Sequence, residues 1–236
     1  MSTTSITKIY IIVNKKNEES RYDNLIKQLQ IHNIKNYEFI DHTWGSEITE
    51  EIRNEYVKSD FSMRRHGRSM KEKPLSNGEI SLFLNHIECL TNIKNKFDDG
   101  IFLILESDAL FTDNFNMNLQ EVIQNSACIN DWDIINIGAG QKKYMASLGY
   151  PKTKAINVKS TNFYKENINR CTEALIWNYA AVEKFLTNFY TNKDIDGPID
   201  TKLDVFSSTN DFNIYWCNPE LVYQGSIFNV FKSHLR

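Results

Sequence analysis

Cysteine is scarce in this sequence and never occurs as a Cys-x-x-Cys pair. The chain has 236 residues and four widely spaced cysteines, Cys89, Cys128, Cys171 and Cys217. This spacing excludes zinc-knuckle and thioredoxin motifs and predicts buried free thiols. None of the 27 asparagines begins an N-x-S/T glycosylation acceptor. These absences favour a reducing compartment, so we expect a cytoplasmic protein.

Long hydrophobic runs and a strong excess of one charge are also absent. No apolar segment approaches the roughly 20 residues that span a bilayer, and the first eight residues lack the apolar core of a signal peptide. We therefore expect no transmembrane segment and at most a peripheral association with membranes. The net charge of −3 argues against a nucleic-acid partner, because domains that bind nucleic acid are usually strongly basic.

Proline is rare, with four residues, and no segment rich in proline, glycine and serine divides the chain. We expect a single domain over residues 1–236, a length that buries roughly 70% of the unfolded surface. The Walker A, G-x-G-x-x-G, H-E-x-x-H and G-x-S-x-G motifs are missing. A bound nucleotide would therefore be held through side chains and a metal ion instead of a glycine-rich loop.

Apolar runs alternate with amphipathic segments along the chain. The runs at 9–13 and 101–105 are typical of strands buried on both faces. Further strands are predicted at 37–41, 132–138, 174–177 and 213–219, and helices at 21–29, 76–90, 119–123 and 180–190. Residues 139–170 have weak periodicity and form a variable excursion. This order predicts an α/β fold with a largely parallel sheet.

Acidic residues stand at the end of a predicted buried strand. Glu106 and Asp108 follow the run 101–105, and ligands of open α/β sheets gather outside the carboxyl ends of strands. Because the two residues are two positions apart, their side chains project to the same side of an extended chain. Such a pair can share Mg²⁺ or Mn²⁺, with phosphate oxygens as further ligands. A strand end that only solvates its charges is the alternative.

A polar segment between residues 45 and 73 contains a basic cluster. Its cationic residues are Arg64, Arg65, His66, Arg68, Lys71 and Lys73. The segment is either a solvated loop or short helix, or a mobile basic segment that folds over an anionic ligand such as a diphosphate.

Seven segments resemble, in order, the motifs of one protein family. They are 11–14 with Arg21 (V-I-N-L…R), 75–86 (L-x-x-G-E-I-G-C-x-x-S-H), 103–108 (L-I-L-E-D-D), 132–135 (W-D-I-V), 171–176 with 180–181 (T-x-A-Y-x-I…G-A), 198–200 (P-x-D) and 219–224 (P-x-L-V-x-Q). The sequence thus resembles glycosyltransferase family 25, the lipooligosaccharide and procollagen galactosyltransferase type.

The resemblance implies a GT-A fold, which binds nucleotide-sugars on a single mixed, mostly parallel sheet flanked by helices. It implies transfer of a hexose of the galactose or glucose type from a UDP-sugar, with Mn²⁺ or Mg²⁺ and with inversion at the anomeric carbon. The acceptor would be a hydroxyl of a glycan, a lipid-linked glycan or a protein. Asp108 would bind the metal, and Glu106 would join it or contact the donor ribose. His234 is either a third ligand or an exposed tail residue.

Inversion requires a base that removes the acceptor proton. Asp200, in the segment similar to P-x-D, is the first candidate and Asp196 the second, although either could instead cap a helix. For Glu79 the alternative to a pocket role is a capping box with Ser76, and for His86 it is a place in the core. The full set of expected donor-binding residues is Val13, Asn14, Arg21, Glu79, His86, Glu106 and Ser107.

The sequence departs from the family pattern at Ser107, which replaces the middle acidic residue of L-I-L-E-D-D. We expect the outer pair of carboxylates to suffice for activity. Trp177 and Tyr223 are either acceptor platforms or core residues. The alternative function is a catalytically inactive GT-A-like module that binds a glycan or a partner protein. A Rossmann-type methyltransferase is a third candidate, but the missing glycine-rich first turn argues against it.

Overall fold

Strands and helices alternate along the chain, as the hydrophobic pattern predicts. The computed structural model describes residues 5–58, 62–66, 69–140, 146, 149–166, 168–209 and 212–232, with the backbone alone at 62–66 and 69–73. The strands are β1 (Lys8–Ile12), β2 (Tyr37–Ile40), β3 (Ser62–His66), β4 (Ser69–Lys73), β5 (Ile101–Glu106), β6 (Ala109–Phe111), β7 (Ile134–Asn136), β8 (Ile156–Val158), β9 (Thr161–Lys165), β10 (Ala174–Asn178), β11 (Ile214–Asn218) and β12 (Val222–Gln224). The helices are α1 (Glu19–Ile31), α2 (Glu50–Tyr56), α3 (Asn77–Lys96), α4 (Phe115–Ser126), α5 (Tyr179–Asn192) and α6 (Ile199–Thr209).

Eight of the strands in the described part of the chain form one sheet, in the order β2-β1-β5-β10-β7-β11-β9-β8. Strand β1 is parallel to β2 and β5, and β11 is parallel to β7, whereas β10 and β9 are antiparallel to their neighbours. Six of these eight strands therefore run in one direction, which confirms the expected mixed, mostly parallel sheet. The carboxyl ends of β1, β5, β7 and β11 meet at one edge, where β10 begins.

Two hydrophobic cores cover the two faces of this sheet, because successive strand residues point to opposite faces. In β1, Tyr10 and Ile12 pack with helices α3, α5 and α6, whereas Ile9 and Ile11 pack with α1 and α4. We call these sides the α3 face and the α1 face. The central strands are buried on both, which explains why their sequences are continuously apolar.

Two hairpins were not predicted from the sequence pattern. The basic segment contains β3 and β4, which pair with each other, where a loop or short helix is predicted. The weakly periodic excursion contains β8 and β9, and β9 joins the main sheet beside β11. The sequences of β3 and β4 are polar and β8 is only three residues long, so neither hairpin shows the apolar alternation that predicts strands. Arg68 lies outside the described residues.

Trp177 and Tyr223 differ in their surroundings. Trp177 is fully buried in the core of the α3 face, with its ring 5.6 Å from that of Phe185. It is therefore a core residue. Tyr223 is 41% exposed and lies beside Phe228, with 5.2 Å between the ring centroids.

The first turn of α3 forms the predicted capping box. The Ser76 hydroxyl accepts from the backbone N–H of Glu79 at 3.3 Å, and the Glu79 carboxylate accepts from the backbone N–H of Ser76 at 2.9 Å. Two of the N–H groups that a helix start leaves without partners are thereby satisfied. Although α3 has 20 residues, no described helix is long and apolar enough to cross a membrane.

We expect Ser76→Ala to lower the free energy of unfolding by about 1 kcal/mol, because it removes the N-cap of α3. The measurement is urea denaturation followed by far-UV circular dichroism. Ser20→Ala, at an exposed position inside α1, is the matched control and should leave the stability unchanged or slightly higher. Equal losses in the two variants would contradict the capping role.

Candidate active site

Most of the expected donor-binding residues meet at the carboxyl edge of the sheet. Asn14 follows β1, while Ser107 and Asp108 follow β5, and all three are less than a tenth exposed. Glu106, the last residue of β5, is equally buried. Ser107 and Asp108 form the turn after β5. The Glu106 side chain points to His86 of α3, whereas the Ser107 side chain points to Arg21 of α1, on the other face of the sheet.

Arg21 is the centre of a buried polar cluster on the α1 face. Its Nη1 donates to Glu18 Oε1 at 2.9 Å and to Ser107 Oγ at 2.8 Å. The Ser107 hydroxyl donates to the same Glu18 oxygen at 3.1 Å, and Glu18 Oε2 accepts from the Asn14 backbone N–H at 3.0 Å. A carboxylate at position 107 would lie beside Glu18, so the neutral hydroxyl avoids a like-charge contact in this cluster.

The segment after β12 covers this cluster. Arg21 Nη2 donates to the backbone carbonyl of Lys232, and the guanidinium lies 5.6 Å from the centre of the Phe231 ring. Gly225 permits this arrangement, because a Cβ there would lie 2.5 Å from the Phe231 ring. The described part of the chain thus ends directly over the carboxyl ends of β1 and β5.

Glu106 faces the opposite side, where α3 contributes His86. Glu106 Oε1 accepts from the Thr172 hydroxyl at 2.5 Å and lies 3.5 Å from Nε2 of His86. The His86 ring is buried, and neither of its nitrogens makes a well-aligned hydrogen bond within the described structure. His86 therefore lies in the core and at the same time forms the wall behind the Glu106 carboxylate.

Asp108 is a buried carboxylate, and one of its two oxygens has no hydrogen-bond partner among the described residues. Its Oδ2 accepts from the backbone N–H of Ser226 at 3.2 Å, whereas Oδ1 has no hydrogen-bond partner in the described part of the protein. Burial, followed by repulsion from Glu106, raises the pKa of Asp108, and the Ser226 contact and Arg21 oppose this shift. A bound proton or cation would therefore offset the negative charge of Glu106 and Asp108 and stabilise this site.

Glu173 is a third acidic residue at this edge, immediately before β10. It is fully buried, and its Oε1 accepts from the backbone N–H of Gly140 at 2.7 Å. Burial raises its pKa to about 8, and the charges of Glu106 and Asp108 add to the increase. Gly138 makes room for this side chain, because a Cβ at Gly138 would lie 2.3 Å from Glu173 Oε1.

The two base candidates have different environments. Asp200, in the first turn of α6, forms an ion pair with Arg170 at 3.2 Å and accepts from the Thr201 N–H at 2.7 Å. Burial, followed by the charges of Glu173, Asp200 and Glu106, raises the pKa of the Cys171 thiol, and Arg170 opposes this shift. Asp196 is about half-exposed and pairs with Lys202 at 2.8 Å.

The other expected site residues lie apart from this cluster. Val13 is fully buried in the core of the α1 face, and Glu79 forms the capping box of α3. His234 lies outside the described residues. Over the described ranges, no group of three His, Cys, Asp or Glu side chains is arranged to hold a metal ion.

Three residues of the site were not predicted from the sequence: Glu18, Thr172 and Glu173. A usable signal existed for Glu173, since a carboxylate adjoins the buried strand β10 just as Glu106 adjoins β5. It lies at the start of β10, however, and only the antiparallel direction of that strand brings it to the same edge. The signal for Glu18 was weaker: it lies three residues before Arg21, a spacing that allows an ion pair on a helix.

The raised pKa of Glu173 predicts that stability falls at high pH. Because the folded state holds this proton up to a pKa of about 8 and the unfolded chain loses it near pH 4.5, the contribution is complete below pH 4.5. It is lost as pH rises through 8, at about 1.4 kcal/mol per pH unit in between. Urea denaturation at pH 5 and pH 9 measures the loss.

We expect Glu173→Gln to reduce the difference in stability between pH 5 and pH 9, because the amide is neutral at both. Glu183→Gln, at an exposed position in α5, is the matched control and should keep the difference of the unsubstituted protein. An unaltered pH dependence in Glu173→Gln would refute the assignment of this proton to Glu173.

Comparison with known families identifies the chain. The sequence profile of glycosyltransferase family 25 (LPS biosynthesis protein) matches residues 6–195, a range that includes Arg21, Glu106, Asp108 and Glu173 and ends before Asp200. A comparison with curated proteins gives no match. The family match covers well over half of the chain, and the mixed, mostly parallel sheet with its flanking helices agrees with it. The chain therefore belongs to glycosyltransferase family 25 and is a glycosyltransferase.

Proposed function

We propose that the enzyme moves a hexose of the galactose or glucose type from a UDP-sugar to a hydroxyl of a glycan, a lipid-linked glycan or a protein. In this proposal the reaction inverts the configuration at the anomeric carbon and uses Mn²⁺ or Mg²⁺. One observation carries it: two buried carboxylates, Glu106 and Asp108, lie at the carboxyl edge of the sheet. Ligands of α/β folds bind at this edge.

The chemistry of Glu106 and Asp108 suits a hard divalent cation. Oδ1 of Asp108 is buried without a hydrogen-bond partner among the described residues, which is costly unless a cation or a donor reaches it. One or two carboxylates are the usual protein contribution to a Mg²⁺ site, and phosphate oxygens and water complete it. When bound, the ion would neutralise the charge that develops on the departing diphosphate.

Arg21 and Asn14 are proposed to contact the nucleotide. Arg21 Nη2 donates to the neutral carbonyl of Lys232, and a diphosphate oxygen would form a stronger, charge-assisted hydrogen bond. Donor binding would therefore replace the carbonyl.

In the transfer step, the acceptor oxygen bonds to the anomeric carbon while the bond to the diphosphate oxygen breaks, and UDP leaves with that electron pair. We assign removal of the acceptor proton to Asp200. Its ion-pair partner Arg170 lies two residues before Thr172, whose hydroxyl donates to Glu106, and this supports a position of Asp200 near the reacting groups. Arg170 holds the Asp200 carboxylate at 3.2 Å and fixes its orientation.

We expect Asp108→Asn to lower Mn²⁺-dependent transfer and UDP-sugar hydrolysis by at least about 100-fold, because the site loses a negative charge aimed at the cation. The assay screens UDP-galactose and UDP-glucose with and without Mn²⁺. Asp113→Asn, an exposed carboxylate after β6, is the control and should keep full activity.

Two outcomes would contradict this assignment. Full activity of Asp108→Asn would show that the Asp108 carboxylate takes no part in the mechanism. No turnover of any nucleotide-sugar, together with no rise in melting temperature on adding UDP and Mn²⁺, would favour the inactive binding module. A ligand at 100 times its Kd should stabilise the protein by about 2.7 kcal/mol.

The two base candidates can be separated by matched substitutions. We expect Asp200→Asn to lower kcat for transfer by about 10²–10⁴-fold while the affinity for UDP stays unchanged, because the amide keeps the shape but accepts no proton. Asp196→Asn should remain within about twofold of the unsubstituted enzyme, as expected for a surface position. The reverse result would make Asp196 the base.

A further inference from the structure

The segment 168–172, which precedes β10, is bonded at each of its residues to a side chain of another element. The partners belong to β11, β7, α6 and β5: Trp216 bonds to Ile168, Asn136 to Asn169 and Cys171, Asp204 to Asn169, Asp200 to Arg170, and Glu106 to Thr172. The segment therefore connects the candidate base Asp200 with the carboxylate at the end of β5.

Asn136, the last residue of β7, uses its whole amide group for this anchoring. Its Nδ2 donates to Oδ1 of Asn169 at 2.7 Å and to the backbone carbonyl of Cys171 at 3.2 Å, and its Oδ1 accepts from the N–H of Gly138 at 2.8 Å. The residue is 2% exposed. Carbonyl oxygens can accept only from the amide nitrogen, and the Gly138 N–H can donate only to the amide oxygen, so these partners fix the orientation of the amide.

The two bonds from Nδ2 reach the residues directly before and after Arg170. The backbone between them is unusual, because Cys171 has a φ of 69°. A residue with a side chain keeps this left-handed conformation only where its surroundings impose it, and the bond from Asn136 to the Cys171 carbonyl is one such restraint. Asn136 therefore fixes the backbone from which the Arg170 side chain extends.

This restraint matters for the ion pair between Arg170 and Asp200, which lie 3.2 Å apart. Both side chains are partly exposed, and an ion pair between such side chains is weak unless its geometry is fixed. An anchored backbone at Arg170 supplies that geometry. The orientation of the Asp200 carboxylate thus depends on a residue of β7 that lies outside the proposed donor-binding set.

We propose that Asn136 is a positioning residue of the transfer reaction, which acts by holding Arg170 so that this arginine orients the Asp200 carboxylate. The inference rests on the proposed function, because it assumes that Asp200 removes the acceptor proton. Among the described residues, no hydrogen bond joins Asn136 to Arg21, Glu106 or Asp108. Its role should therefore be separable from donor binding.

The first test is Asn136→Ala, which removes all three bonds. We expect kcat for transfer to fall by about 10–100-fold, because a small displacement of a reacting group has effects of this size. The rise in melting temperature on adding UDP and Mn²⁺ should stay unchanged. Asn125→Ala in α4 is the matched control: this amide is also 2% exposed and donates to the Thr161 hydroxyl at 3.0 Å, yet kcat should remain within about twofold.

A double-mutant cycle with Asp200→Asn separates positioning from a general loss of stability. If Asn136 acts through Asp200, adding Asn136→Ala to Asp200→Asn should lower kcat by less than about twofold. A residue that only supports the fold would lower kcat by the same factor in both backgrounds. That result would overturn the inference.

Hydrogen–deuterium exchange measured by mass spectrometry tests the anchoring without any turnover. We expect the amides of residues 168–172 to exchange faster in Asn136→Ala than in the unsubstituted protein, and at an unchanged rate in Asn125→Ala. Unchanged exchange in Asn136→Ala would contradict the anchoring and overturn the inference.

Asn169→Ala provides a second variant outside the sheet. It removes one of the two bonds that flank Arg170, and we expect the same loss of kcat in direction and the same dependence on Asp200. This variant decides the question if Asn136→Ala does not fold. Failure of both variants to fold, while Asn125→Ala folds, would show that the bonds serve stability and would also overturn the inference.

The outcomes distinguish this inference from the proposed function. A loss of kcat in Asp200→Asn with full kcat in Asn136→Ala overturns the inference alone. A weaker response to UDP in Asn136→Ala overturns it as well, since the residue would then act on donor binding. Full activity of Asp200→Asn, or no turnover of any nucleotide-sugar, overturns the proposed function itself.

Discussion

The burial of three neighbouring carboxylates is the constraint on which the site depends. Glu106, Asp108 and Glu173 lie at one edge of the sheet, and burial, together with repulsion among these charges, raises the pKa of Asp108 and Glu173. A folded domain tolerates such a cluster only when protonation, hydrogen bonds or a cation offset the repulsion. In this protein a proton on Glu173 and the N–H of Ser226 at Asp108 supply part of the compensation, and a ligand can supply the rest.

The two hydrophobic cores hold these groups in place. At the end of β5, the Glu106 side chain points to His86 on the α3 face, and in the following turn the Ser107 side chain points to Arg21 on the α1 face. A single short segment therefore takes part in two separate networks. The Arg21 network joins the ends of β1 and β5, whereas Thr172 and His86 surround the Glu106 carboxylate. This division also explains the serine at position 107, because that side chain bonds to Glu18 and Arg21 on the face away from Glu106.

The sheet also orders the proposed reaction in space. The proposed donor residues lie at the ends of β1 and β5, and β10, with Glu173 before it, is the next strand of the sheet. Since β10 is antiparallel, its amino end and the segment before it, with Arg170 and Cys171, reach the same edge as the carboxyl ends of the parallel strands. Arg170, the ion-pair partner of Asp200, belongs to this segment.

Local sequence patterns alone determined the main strands, the capped helix α3, the carboxylates after β5 and the family. These features depend on residues that are close in the chain, so the periodicity and spacing of those residues can be read directly from the sequence. The hairpins β3–β4 and β8–β9, the pairing of β9 with β11, and the position of Glu173 at the carboxyl edge of the sheet were decided only by tertiary structure. Each depends on strand pairing between distant segments, and a local hydrophobic pattern carries no information about which strands pair or in which direction.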